Sequence, residues 1–151
     1  MKFIVDNMLG KLARYLRFLG YDTYYSNSTI KDDEIIEIAS REKRILITRD
    51  KELASRYKNS FLLRTTDSKE QLKEVIKKFN LDNNKILTRC SVCNVELIKI
   101  NKEQAKGKVP EKVYENFNEF YICPSCGRYY WLGTHAMNIE NMIKMVEKDE
   151  N

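Results

Sequence analysis

The first half of the chain alternates short apolar runs with segments whose apolar residues recur every three or four positions. Four apolar runs predict buried strands, at residues 2–5, 23–25, 44–48 and 61–63. Four amphipathic segments predict helices, at residues 8–19, 32–41, 51–57 and 67–79. This alternation is typical of a mostly parallel sheet with helices on both faces. The pattern therefore predicts an α/β domain over residues 1–80.

The pattern changes after this domain. Residues 81–88 begin with Leu-Asp-Asn-Asn-Lys, whose turn chemistry predicts a linker. Residues 89–133 contain all four cysteines, both prolines and only short strand-like or helical segments, which predicts a second, smaller lobe. The apolar residues of segment 134–151 have weak helical spacing, so we expect a C-terminal helix that packs on one of the two lobes.

The cysteines form two C-x-x-C pairs. Cys90 and Cys93 make the first, Cys123 and Cys126 make the second, and 29 residues separate the pairs. Two such knuckles bring four thiolates into the tetrahedral arrangement that zinc prefers, and four protein ligands close the site. The spacing predicts a structural Zn²⁺ site. The alternatives are two disulfides or a redox pair. His135 is a further candidate zinc ligand or substrate contact, although an ordinary residue at a helix start is its default interpretation.

Charge and hydropathy narrow the possible partners. The net charge of +5 permits a polyanionic partner such as RNA or DNA without requiring one. No run of 18 apolar residues occurs, so no membrane partner is expected. The early Asp6 interrupts the apolar N-terminus and argues against a signal peptide. We therefore expect a cytoplasmic protein with reduced cysteines. Protein partners stay open.

Acidic residues follow the predicted strands. Asp6 comes directly after the first, Asp50 two residues after the third, and Asp67 shortly after the fourth. In an open parallel sheet the carboxyl ends of the strands meet at one edge, where ligands bind. Aspartate is also a preferred helix N-cap, and Asp32, Asp50 and Asp67 all lie at predicted helix starts, so for any single one the cap interpretation is favoured. Several acids at one edge indicate a hard cation such as Mg²⁺ or Mn²⁺, which serves phosphodiester hydrolysis.

The second predicted helix begins at the same edge with Asp32, Asp33 and Glu34. Asp32 shares its helix face with the apolar stripe of Ile35, Ile36 and Ala39, whereas Asp33 lies to the flank. We therefore prefer Asp32 as a site residue and place Asp33 next.

Basic residues accompany this edge. Arg49 and Lys51 flank Asp50, and the first helix carries Arg14 and Arg17 on one side. Such side chains suit a phosphate backbone, although a solvated basic face is the alternative.

Four motifs occur in order: V-D-x-M-L-G-x-L-A-R-x-L-R-x-L-G-Y-D, D-D-E-I-I-E-I-A, I-L-x-T-R-D and C-x-x-C…C-P-x-C-G-R-x-Y-W. Together they resemble the PIN-like ribonuclease family fused to a zinc ribbon, the family named after the C-terminal domain of the Mut-seven exonuclease. The resemblance implies a three-layer α/β/α sandwich that gathers carboxylates around Mg²⁺ or Mn²⁺ and cleaves RNA.

Carried over by position, the resemblance makes Asp6, Asp32 (or Asp33) and Asp50 the metal ligands. It makes Thr48 a polar neighbour that orients water or an acid. For a further acid the candidates are Glu34 and Asp67, neither by a clear motif match.

The resulting hypothesis is a metal-dependent endoribonuclease whose substrate is held by Arg14, Arg17 and Arg49, with a ribbon that aids binding. The aromatic run from Tyr129 to Trp131 can stack on unpaired bases or pack internally. One rival is a non-catalytic RNA- or DNA-binding adaptor, in which the acids are caps. Another is a phosphoacceptor receiver domain, which would need a lysine on a late strand and carries no zinc ribbon.

Overall fold

Four parallel strands form the central sheet of the computed structural model, which describes residues 1–149. They are β1 (Lys2–Val5), β2 (Asp22–Tyr25), β3 (Ile45–Thr48) and β4 (Ser60–Leu62), each within one residue of its predicted start. The strand order is β2-β1-β3-β4, and all three pairings are parallel. The chain therefore places β2 on one side of β1 and then returns to place β3 on the other.

Helices cover both faces of this sheet. They are α1 (Gly10–Phe18), α2 (Asp32–Glu42), α3 (Lys51–Ser55) and α4 (Ser68–Phe79). Since side chains alternate along a strand, Phe3 and Val5 pack with α1 and α4, whereas Ile4 packs with α2 and α3. Right-handed crossovers require this arrangement, because α1 and α2 lead to opposite sides of β1. The predicted α/β/α sandwich is confirmed.

A three-stranded antiparallel sheet, in the order β5-β6-β7, forms the cysteine-bearing lobe. Its elements are β5 (Ile98–Ile100), α5 (Lys102–Ala105), α6 (Glu111–Asn116), β6 (Phe120–Ile122) and β7 (Tyr129–Tyr130). Both helices are short and lie in the connection between β5 and β6. This lobe has few buried side chains of its own, chiefly Phe120, Ala105 and two cysteines, so it depends on a cross-link or on its neighbour for stability.

The last helix, α7 (Thr134–Asp149), returns to the first lobe. Its residues Ala136, Ile139 and Ile143 belong to the same apolar cluster as α1 and α4. Residues 150 and 151 of the predicted helix lie outside the described part of the chain. We propose the domain division 1–80, 81–88, 89–133 and 134–151, in which the final helix completes the core of the first lobe. Within residues 1–149, no helix is both long and apolar enough to cross a bilayer.

The segment 81–88 packs against the core. Leu81 and Leu87 are buried, and the Leu87 N–H donates to the carbonyl oxygen of Phe18 at 3.1 Å. Gly20 makes this close approach possible, because a Cβ at this position would lie 2.2 Å from the Lys85 carbonyl oxygen. Its φ of +95° also favours glycine. The two lobes are therefore joined by a packed turn.

Candidate active site and zinc centre

A cavity of about 400 Å³ opens at the carboxyl ends of β1 and β3. At this point of the sheet the chain leaves β1 toward one face and reaches β3 from the other, and such a switch point is where open α/β sheets bind ligands. The cavity is lined mainly by polar residues from four loops and helix starts: Asp6, Asn7, Met8, Ser26, Asn27, Ser28, Ile30, Asp32, Ile35, Arg49, Asp50 and Leu53. Three of these side chains are carboxylates and one is a guanidinium.

The Asp6 carboxylate is buried and held at both oxygens. It is 7% exposed, and its Oδ1 accepts a hydrogen bond from the Met8 N–H at 3.1 Å. Its Oδ2 accepts the hydroxyl proton of Thr48, a fully buried residue at the end of β3. The Thr48 oxygen in turn accepts the Asp50 N–H at 3.0 Å. These contacts give the Asp6 carboxylate one orientation and connect the ends of the two strands.

Asp50 has two structural roles. Its Oδ1 accepts the backbone N–H groups of Glu52 and Leu53 at 2.9 and 3.2 Å, so it is the N-cap of α3. It also lines the cavity and is exposed to solvent. The cap bonds use one carboxylate oxygen, which leaves Oδ2 without a protein donor among the described residues. Capping and ligand binding are therefore compatible at this residue.

The first turn of α2 directs its neighbouring acids to different places. Asp32 lines the cavity with Asp6 and Asp50. Asp33 forms an ion pair with Arg56 and borders a separate groove along α2. The hydrogen bond from Asp33 raises the pKa of the exposed Arg56 guanidinium. The helix geometry thus separates the two candidates that the sequence placed next to each other.

The oxygen-rich donor set fits Mg²⁺ or Mn²⁺ by its chemistry. Mg²⁺ is usually bound by one or two carboxylates together with waters, and these cations prefer oxygen ligands. The carboxylates of Asp6, Asp32 and Asp50 are not all within 4.8 Å of one another, a separation that only the cysteine sulfurs meet among the described residues.

Arg49 brings a positive charge to this acidic cavity. Its guanidinium forms no ion pair within 4 Å, and its buried Nε has no hydrogen-bond acceptor among the described residues. An unsatisfied buried donor costs free energy, so an anionic ligand at this guanidinium is favoured.

Two further acidic candidates stay outside the cavity. Asp67 is the N-cap of α4 and accepts the N–H groups of Lys69 and Glu70 at 2.9 and 3.4 Å. It follows β4, which lies at the edge of the sheet beyond β3. Glu34 is exposed on α2 and does not line the cavity. Neither residue adds a fourth carboxylate.

The sequence predicts a polar loop after β2, from Ser26 to Lys31, but the sequence pattern assigns this loop no role at the site. Ser26 and Asn27 line the cavity, and the Ser26 hydroxyl donates to the Val5 carbonyl oxygen at 2.9 Å. Val5 pairs with Tyr25 in parallel register, so the residues that follow these two strands are neighbours. The register of β1 and β2 would have indicated this proximity, but it can be used only once β2 is known to lie beside β1.

The predicted substrate contacts on α1 lie away from the cavity. The Arg17 guanidinium donates to the carbonyl oxygens of Thr23, at 2.9 Å, and Val92, at 3.0 Å, so it joins α1 to β2 and to the first cysteine knuckle. Burial lowers the pKa of Arg17, although the charges of Cys90 and other neighbours oppose this effect. Arg14 is exposed on a groove that continues toward the ribbon.

The cysteine cluster has the geometry of a closed metal site. The sulfurs of Cys90, Cys93, Cys123 and Cys126 all lie within 4.8 Å of one another. All four thiols are free, so neither of the disulfides considered above is formed. In each knuckle the backbone N–H of the second cysteine donates a hydrogen bond to the sulfur of the first. The N···S distance is 3.3 Å from Cys93 to Cys90 and 3.4 Å from Cys126 to Cys123. Four sulfurs in this arrangement fit one tetrahedral Zn²⁺.

The surroundings of the cluster shift the pKa values of two of its thiols in opposite directions. Desolvation and the contact with the Cys126 sulfur raise the pKa of the Cys93 thiol to about 11. The backbone N–H and the guanidinium of Arg128 lower the pKa of the Cys126 thiol to about 6. The Tyr130 hydroxyl lies 3.0 Å from the Cys90 sulfur, within hydrogen-bond distance. His135 is not part of the cluster and instead packs against the rings of Tyr15 and Phe18, with centroid distances of 5.8 and 5.2 Å.

Comparison with known families agrees with this architecture. The sequence model of the Mut7-C RNAse domain matches residues 1–143. Searches of curated proteins and of solved structures found no match. The matched region contains the parallel sheet, the cavity and the whole cysteine lobe, and the resemblance seen in the sequence motifs is confirmed. The chain belongs to the Mut7-C RNAse domain family.

Proposed function

We propose that this chain is a metal-dependent ribonuclease that hydrolyses internal phosphodiester bonds of RNA in the cavity between β1 and β3. The family name supports ribonuclease activity. The observation that carries the location is the buried Asp6 carboxylate, which two hydrogen bonds orient toward a cavity that Asp32 and Asp50 also line. A rigid acid at a switch point is a good position for a ligand of the reacting group.

In this proposal Asp6, Asp32 and Asp50 hold Mg²⁺ or Mn²⁺. When bound, the cation neutralises charge on the scissile phosphate and lowers the pKa of a coordinated water. Arg49 binds a phosphate oxygen, since its guanidinium has no ion-pair partner in the described residues. Thr48 donates to Asp6 and thereby prevents the carboxylate from rotating. The zinc site has four protein ligands and no open position, so its part is structural.

A non-catalytic RNA-binding adaptor is the second candidate. It is favoured by the cap role of Asp50 and by the separation of the three carboxylates. In an adaptor the acids stabilise helix starts, and only the bases and the ribbon contact nucleic acid.

The deciding experiment is Mn²⁺-dependent cleavage of labelled linear and covalently closed circular RNA by the zinc-loaded chain. We expect cleavage of both substrates, because internal hydrolysis needs no chain end. Asp6→Asn and Asp50→Asn should each reduce the rate at least about 100-fold, and asparagine keeps the cap at position 50.

Asp33→Asn is the matched control, because it removes the same charge from the same edge but outside the cavity. It should retain the wild-type rate. No cleavage at any Mn²⁺ concentration would favour the adaptor, and equal rates in all four proteins would mean that the cleavage does not use these carboxylates. Cleavage of linear RNA but not of circular RNA would mean that the enzyme degrades RNA from a chain end and not at internal bonds.

A further inference from the structure

A groove runs from α1 across the cysteine-bearing lobe (residues 89–133), which we call the zinc lobe. Its lining residues differ in charge from those of the cavity. It consists of two adjoining depressions that share Arg14, Ser91 and Tyr130. We call this combined surface the ribbon groove. Neither depression is lined by an aspartate or a glutamate, whereas the cavity is lined by three aspartates. The chain has 22 acidic residues, so their absence from this surface concentrates positive charge there.

The bases of the ribbon groove are available to a ligand. Lys11, Arg14 and Lys108 are exposed, and none of them forms an ion pair within 4 Å in the described residues. Arg128 adds a fourth positive charge next to Cys126. Unpaired exposed bases along one groove are the electrostatic footprint expected for a phosphate backbone.

Aromatic rings lie between these bases. On α1, Lys11, Arg14, Tyr15 and Phe18 are spaced at i, i+3, i+4 and i+7, so they share one helix face. Across the lobe, Trp131 contributes its half-buried ring to the second depression. Alternation of basic and aromatic side chains suits a single-stranded nucleic acid, whose unstacked nucleobases offer faces for stacking.

The ribbon groove begins beside the cavity. Asn7 and Met8 line the cavity, and Lys11, three residues after Met8, lines the ribbon groove at the start of α1. From Lys11 to Phe18 the helix rises roughly 10 Å along the groove. The hydrogen bonds from Arg17 to the Ser91 and Val92 carbonyl oxygens hold the knuckle against this helix, so both depressions form one continuous surface.

We propose that the ribbon groove binds the single-stranded RNA that extends from the cleavage position in the cavity. Lys11, Arg14 and Lys108 contact its phosphates, and the ring of Trp131 stacks on an unpaired base. The choice of RNA rests on the proposed ribonuclease function. The zinc site then has a role in substrate binding, because it holds the ring-bearing half of the groove in place.

The first test measures binding of a labelled single-stranded oligouridylate to the zinc-loaded chain by fluorescence anisotropy, without added Mg²⁺ or Mn²⁺. One variant combines Lys11→Ala, Arg14→Ala and Lys108→Ala. Its matched control combines Lys58→Ala, Lys77→Ala and Lys144→Ala, which removes three exposed lysines outside the groove that form no ion pair within 4 Å among the described residues.

We expect the groove variant to lose affinity by about tenfold or more, while the control stays within about twofold of wild type. The slope of log affinity against log salt should fall by about 2 in the groove variant, since each phosphate contact with a single strand contributes about 0.7. Equal losses in both variants would overturn the proposal, because they would reflect net charge alone. Matched zinc content and circular dichroism spectra establish that both variants are folded.

The second test uses the single tryptophan of the chain, Trp131. Stacking should quench its emission with the same midpoint as the anisotropy change. Binding that leaves the emission unchanged would overturn the base contact. A duplex of equal length should bind more weakly, because its bases are already stacked. Equal affinity for the duplex, or a preference for DNA of the same sequence, would overturn the assignment to single-stranded RNA.

These measurements are independent of cleavage. If the chain binds RNA in the ribbon groove but cleaves none, the proposed ribonuclease function is wrong and the proposed RNA-binding groove is supported. If it cleaves RNA while the groove variant binds normally, the groove fails and the ribonuclease function stands.

Discussion

The side-chain amide of Asn94 donates a hydrogen bond to the Asp22 carboxylate at 2.7 Å, and this contact joins the zinc lobe to the parallel sheet. Asn94 directly follows Cys93, while Asp22 begins the edge strand β2. The Asn94 Oδ1 also accepts the Thr23 N–H at 3.1 Å, which covers an unpaired donor of that edge. Burial disfavours the Asp22 charge, but the hydrogen bonds from Arg44 and Asn94 outweigh it and lower the pKa of this carboxyl.

Asn94→Gly should destabilise the protein. The change removes both hydrogen bonds to β2 while keeping the φ of +65° accessible, so we expect a loss of about 2 kcal/mol in the free energy of unfolding. Asn94→Ala should cost about 1 kcal/mol more, because alanine disfavours this backbone conformation. Urea denaturation of zinc-loaded protein measures both. Wild-type stability of Asn94→Gly would mean that the contact contributes nothing.

Removal of zinc should loosen the second lobe. A closed site of four cysteines contributes directly to folding, and this lobe buries few apolar side chains. We expect chelation to lower Tm by about 10 °C or more and to increase amide hydrogen exchange in β5–β7. Added Zn²⁺ should restore both properties, which excludes irreversible damage. An unchanged Tm after complete zinc removal would contradict a structural role for the cysteine cluster.

Thr48→Val should lower both the stability of the protein and its RNA cleavage rate, while the shape of the cavity changes little. The substitution leaves the Asp50 N–H without its acceptor and the Asp6 carboxylate without its hydroxyl donor. We expect a loss of about 1–3 kcal/mol in unfolding free energy and a lower RNA cleavage rate. Thr48→Ser keeps the hydroxyl and should recover most of the rate. If serine and valine reduce cleavage equally, the hydroxyl does not orient Asp6.

Gly20→Ala should be among the most damaging small substitutions. The added Cβ would lie 2.2 Å from the Lys85 carbonyl oxygen, and the φ of +95° is unfavourable for alanine. We expect a loss of about 3 kcal/mol or more in unfolding free energy. Gly107→Ala is the matched control, since its φ is +76° but no atom lies within 4 Å of the added Cβ. It should cost only about 1 kcal/mol by urea denaturation. Similar losses at both positions would show that the backbone conformation alone matters.

Local periodicity was sufficient to predict the elements of the first lobe. Every predicted strand and helix occurs within about two residues of its expected start. The α/β/α class followed as well, because alternating strands and helices have few compact arrangements. The C-terminal helix was predicted from its spacing, but its partner was not, since an amphipathic stripe does not specify which apolar surface will cover it. The structure places it against α4.

The candidate site was only partly predictable, because it depends on strand order. Asp6 and Asp50 line one cavity since β1 and β3 are neighbours, whereas Asp67 is excluded by the edge position of β4. Ser26 enters the cavity through the register of β2, which no local pattern shows. The i, i+3 spacing of Arg14 and Arg17 on one side of α1 predicts a substrate contact at Arg17, and this stays a prediction. The spacing does not show that the Arg17 guanidinium also donates to the Val92 carbonyl oxygen, 75 residues further along the chain.

By itself, the sequence determined the fold class, the four zinc-ligand candidates and the family, because these follow from periodicity and from short, fixed spacings. Helix spacing already favoured Asp32 over Asp33 as a site residue, but only the tertiary structure showed that Asp33 pairs with Arg56. It also brought α1 and the zinc lobe together into one basic and aromatic groove. The physical reason is that these relationships join residues distant in the chain, and strand order, crossover handedness and lobe packing determine them.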